Sequence, residues 1–165
     1  MKVKSASGIY KFLTKDDSRE HLFHESGYHD LMKWGISDMH TACSRLAGLH
    51  ESIHDEFLTS TPFGAAQQAF VRLQELSGVE HVVRQAKAWS AELMRQSAET
   101  HERAATYLSM KMFSPETQQQ LETWLHPKYR AFLKDLQDII DPIFKSSYMQ
   151  YHVGYTLCEL CFASG

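Results

Sequence analysis

The residues most able to do chemistry lie in one short stretch, His50-Glu51-Ser52-Ile53-His54, followed by Asp55. On an α-helix, positions four apart share a face. His50 and His54 can therefore aim two imidazole nitrogens at one point, with Glu51 about a third of a turn round. That is the arrangement a zinc hydrolase needs: two neutral nitrogen ligands, and a carboxylate placed to take a proton from zinc-activated water. The spacing predicts a catalytic zinc (Zn2+) site with His50 and His54 as ligands and Glu51 as general base. The ten histidines exceed ordinary usage and make a chance match more frequent, so the pair needs a third ligand before it counts.

The helix that must carry these residues is legible. Ser37 reads as an N-cap, and Met39, Ala42, Cys43, Leu46, Leu49, Ile53 and Phe57 follow at helical spacing up to the break before Pro62. Its apolar stripe runs beside the histidines, which puts the site at the edge of the core. Ala65 to Leu76 predicts a second helix, stopped by Ser77-Gly78. A third starts near Val79 and either continues or restarts around Ser97, carrying Glu99, Glu102, Ala105, Leu108 and Met112. Ser114-Pro115-Glu116 is a helix start, with a capping serine, proline at the first position and an early acid. Pro127 opens a further helix with a bend expected near Pro142, and Tyr148 to Phe162 is the last.

Ahead of Ser37 the pattern is mixed. Ser7 to Leu13 fits a short strand or an extended arm. Asp16 to Trp34 carries His21, His24, Glu25 and His29 on a stretch broken by Gly27 and Gly35. Alternating β-type patterns are nearly absent. The fold class expected is all-α or nearly so: a single helical domain over 1–165, with an N-terminal arm and broken helix at 1–36, a metal-site core at 37–113 and C-terminal helices at 114–165.

Composition narrows the partners. A net charge of −3 with interspersed acids and bases favours neither nucleic acid nor an anionic membrane. No apolar run approaches the ~18 residues of a spanning helix, and no apolar stretch follows the first lysines as in a signal peptide. Three cysteines do not make a disulfide framework and fit a reducing compartment, so a cytoplasmic location is expected. Cys158-Glu159-Leu160-Cys161 is a lone CxxC, a weak signal without a second pair. Oligomeric state is not legible.

A catalytic zinc needs a third protein ligand, and the segment Glu99-Thr100-His101-Glu102-Arg103-Ala104-Ala105-Thr106-Tyr107-Leu108 offers candidates. Together with His50-Glu51-Ser52-Ile53-His54, its Glu102-Arg103-Ala104-Ala105-Thr106-Tyr107 resembles the gluzincins, zinc metallopeptidases with an HExxH helix and a glutamate ligand on a downstream helix. Ala105 and Tyr107 match the small residue and the aromatic that follow that glutamate. The resemblance covers these two motifs and the Ser60-Thr61-Pro62-Phe63-Gly64 turn. It implies that His50, His54 and Glu102 bind zinc, that Glu51 is the base, and that the substrate is a peptide or protein. Glu99, one turn before Glu102, stands as an alternative or supporting acid, and His101 as a further possibility. Such enzymes polarise the carbonyl oxygen with a tyrosine or histidine from a later element, which makes Tyr155 and His152 the candidates here, with His126 and Tyr148 behind them. The chain departs from the family in Asp55, usually uncharged, in a long gap to Glu102, and in lacking a strand-like segment before the helix.

Two other readings compete. Glu51-Ser52-Ile53-His54 is also an ExxH pair of the kind found in non-haem di-iron bundles, but Glu122 to His126 is one residue too long to be the second. The other is a non-catalytic all-α interaction or immunity-type module.

Overall fold

The computed structural model describes residues 37–163, and within them the chain forms six helices and no strand. They are α1 (Ser37–Ser60), α2 (Pro62–Leu76), α3 (Glu80–Lys111), α4 (Pro115–Trp124), α5 (Pro127–Ile140) and α6 (Ser147–Ala163). The expectations for the N-terminal arm and for His21, His24, Glu25 and His29 lie outside the described residues. No described helix is long and apolar enough to cross a membrane.

Local chemistry sets the helix boundaries. Thr61 caps α2 by accepting from the Gly64 amide at 3.1 Å, with Pro62 at the first helical position. Ser114 caps α4 in the same way through the Thr117 amide, followed by Pro115. His126 caps α5, its Nδ1 accepting from the Lys128 amide at 3.2 Å. α3 runs unbroken through Ser97: there is no glycine or proline between Val79 and Met112, and the Ser97 hydroxyl folds back onto the Leu93 carbonyl at 2.9 Å. The bend expected near Pro142 is instead a helix end. α5 stops at Ile140, whose carbonyl takes the amides of Ile143 and Phe144 in a turn around the proline.

α3 is the central element, packed against α1, α2, α5 and α6. Its C-terminal half supplies Tyr107, Leu108 and Met110, which are fully buried with Leu46 and Phe57 of α1, Leu121 of α4, Leu133 and Ile140 of α5. Ala104 and Ala105 are also fully buried, small residues where a neighbouring helix must come near. One buried polar network holds the far end: the Lys111 ammonium lies 2.6 Å from Asp141, and the Tyr107 hydroxyl donates to the same carboxylate at 2.9 Å.

Candidate metal centre

His50 and His54 occupy the fourth and fifth turns of α1, and Glu102 the seventh turn of α3. Helix periodicity stacks the two imidazoles, and the α1–α3 packing brings the carboxylate to them. The Nε2 atoms of His50 and His54 are 3.0 Å apart. One Glu102 oxygen, Oε2, lies 3.2 Å from the first and 3.8 Å from the second. Both histidines are buried, while the Glu102 side chain keeps about a fifth of its surface exposed. The group is dry on one side and open on the other.

These three distances describe a triangle whose corners all lie about 2 Å from a common point just off its plane, which is the bond length zinc takes with imidazole nitrogen and carboxylate oxygen. A tetrahedral ion with such bonds separates its ligand atoms by about 3.3 Å, the middle of the observed range. Hydrogen bonding alone accounts for the group less well. Each Nε2 carries either one proton or one lone pair, so His50 Nε2 cannot donate to Glu102 and accept from His54 at once. A cation satisfies all three atoms together. The donor set, two imidazoles and a carboxylate, suits zinc. His50 Nδ1 is buried without a hydrogen-bond partner among the described residues, so the outer acceptor that usually orients a ligand histidine is not supplied by them.

The local electrostatics favour the ligand forms. Burial holds the His54 imidazole below its ordinary range, and the nearby His50 adds to this, while the carboxylates of Glu102 and Glu51 pull the other way without reversing it. Burial pushes the Glu102 carboxyl up, but its hydrogen bond with His50 and the proximity of His54 outweigh burial and hold it well below the carboxylate range. A neutral His54 and an ionised Glu102 are what a metal site requires.

The neighbours divide clearly. Glu99 turns outward to an ion pair with Arg103 at 3.0 Å, its side chain largely exposed, so Glu102 is the acid that meets the histidines. Arg103 also binds Asp135 at 2.8 Å. His101 is buried beside the site rather than in it. Its ring lies 5.7 Å from that of His54 and packs on Phe162 and Phe63 at 4.3 and 4.8 Å. Burial, with the charge of His54, lowers its pKa to about 4. Glu51 is half-buried, and its charge is felt at both His54 and Tyr129.

The later residues expected to face the site are placed elsewhere. The Tyr155 hydroxyl donates to Glu56 at 2.9 Å, and its ring stacks on Phe57. Glu56 projects from α1 about 200° round from His54. His152 is exposed, in ring contact with Tyr148 and Tyr151, and His126 caps α5. The aromatic that does reach the site is Tyr129, in the first turn of α5, whose ring meets His50 edge to face at 5.9 Å. Its place in the sequence, two residues after Pro127, reads as ordinary core spacing. Only the packing of α5 on α3 brings it to the histidines.

No family model matches this chain, and neither a curated protein nor a solved structure does.

Proposed function

We propose that the chain is a zinc-dependent hydrolase of gluzincin-like metallopeptidase type, acting on a peptide or amide carbonyl. The observation that carries the reading is the convergence of His50 Nε2, His54 Nε2 and Glu102 Oε2 at zinc-binding distances from a common point. When bound there, zinc supplies Lewis acidity, acidifying water and polarising a carbonyl oxygen. The protein's own groups do the rest. His50 and His54, buried and one turn apart, offer their two Nε2 atoms. Glu102 supplies the one negative charge, delivered from a second helix whose backbone is fixed by the core. Glu51 follows His50 on α1 and stands beside the group, able to accept the proton of an attacking water and pass it to the leaving amine.

The test is a comparison of zinc-loaded wild type with Glu51→Gln on a fluorogenic peptide library. The reading expects cleavage by wild type, its abolition by chelator, and a loss of at least about a hundredfold in Glu51→Gln with zinc content unchanged. Cleavage that persists equally in Glu51→Gln would contradict the assigned base, and cleavage indifferent to chelator would contradict the metal.

A further inference from the structure

A second face of α3 is only partly covered. Leu93, Gln96, Ser97 and Thr100 recur there at helical spacing and line a cavity of about 380 Å3, completed by Phe63 and Ala66 of α2 and Phe162 of α6. Thr100 and Glu102 are two residues apart, about 200° round the helix, so this face points away from the metal group. Phe63 and Phe162 stand between the two, since both rings also enclose His101, and His101 lies 5.7 Å from His54. The cavity is a separate site, not an arm of the metal centre.

Its walls define what fits. No charged side chain is among the described residues that line it, so a charged ligand would give up water without gaining a partner. The buried Phe63 and Phe162 rings offer aromatic contact, while the small side chains of Ala66 and Ser97 leave the space open. A cavity of about 150 Å3 holds one benzene, so this one takes a molecule of about ten to fifteen non-hydrogen atoms. One polar group is uncommitted. Ser97 gives its hydroxyl to the Leu93 carbonyl and Gln96 its amide nitrogen to Glu92 at 2.7 Å. The half-buried Thr100 hydroxyl has no hydrogen-bond partner among the described residues, and a ligand acceptor would supply one. From this lining we infer that the cavity binds a neutral two-ring aromatic molecule bearing one carbonyl oxygen, which accepts a hydrogen bond from Thr100. The assignment is independent of the zinc hydrolase reading.

The probes are indole-3-carboxamide and indole-3-carboxylate, alike in shape and different in charge. Each is titrated into the full chain with isotope-labelled alanine and leucine methyl groups, followed by NMR. The expected result is saturable binding of the carboxamide, with the Ala66, Leu93 and Ala163 methyl resonances moving together, and binding of the carboxylate at least about tenfold weaker. Ala66→Leu fills the cavity and should abolish the response. Thr100→Val keeps the shape and removes the hydroxyl; it should weaken carboxamide binding about fivefold, and it decides the matter should Ala66→Leu fold poorly. A carboxamide that moves none of these resonances, binds no better than the carboxylate, or binds Thr100→Val as tightly as wild type would overturn the assignment. A response lost on adding chelator would place the probe at the histidines and overturn it as well.

Discussion

The Nε2 atoms of His50 and His54 face each other at 3.0 Å inside the fold, with ring planes near perpendicular. Two imidazoles one helical turn apart reach this separation easily, but without a shared partner their lone pairs compete for one proton. Glu102 adds a third acceptor to the same point. In the absence of metal the arrangement therefore costs stability, and a metal removes that cost. Zinc should raise the melting temperature of the protein in a concentration-dependent way, with a gain of about 4 kcal/mol when free zinc exceeds Kd a thousandfold. Differential scanning fluorimetry with buffered zinc checks this, and His54→Ala should melt at one temperature whether or not zinc is present.

The joint between α1 and α2 depends on Gly64. A Cβ there would come 2.1 Å from the Leu58 carbonyl oxygen and 2.6 Å from its Cα, both backbone atoms that cannot step aside. Gly64→Ala should destabilise the fold by about 3 kcal/mol or more. Gly48 is the internal comparison, since a Cβ there meets nothing within 4 Å. Gly48→Ala should stabilise α1 by about 1 kcal/mol, the helix propensity gain alone. Urea denaturation of the two variants reads both signs. Equal effects would mean that the α1–α2 joint is not packed as described.

The three cysteines should separate by reactivity. Cys43 and Cys158 are buried, which pushes each thiol from 9.0 up to about 12, while Cys161 is exposed. At pH 8 the native protein should therefore release one equivalent of chromophore from a disulfide thiol reagent, and three after unfolding. The sign for stability follows from the raised values. These thiols favour the folded state fully below pH 9, and the contribution is lost as pH rises from about 9 to about 12. Alkaline melting curves should fall across that window, and fall less in Cys43→Ser, whatever the constant cost of that substitution.

What the sequence made legible was what local rules govern. Ser37, Pro115 and Pro127 marked helix starts because capping and proline geometry act within one turn, whereas Pro62 read only as the break after the first helix, with the second expected from Ala65, and in fact opens that second helix under the Thr61 cap. The all-α class followed from apolar spacing. Ser97 was ambiguous because serine weakens a helix only slightly, and the tertiary packing of α3 decides the matter. The neighbourhood of His50 and His54 was legible as a helix face. The choice between Glu99 and Glu102 was not, since it turns on which side of α3 meets α1, and Arg103 reports that only once the helix is placed. Tyr155 looked suited to the site by type and chain order, yet Glu56 holds its hydroxyl on another face of α1. Tyr129 carried no local signal, because its proximity to His50 is made by the way α5 crosses α3.

The most direct test of the central claim is the zinc content of untagged protein by elemental mass spectrometry, wild type beside Glu102→Ala. The account predicts about one zinc per chain in wild type, lost or strongly reduced in the variant, because two histidines alone hold the ion weakly. Wild type that stays metal-free after exposure to zinc, or a variant that retains zinc as well as wild type does, would contradict it.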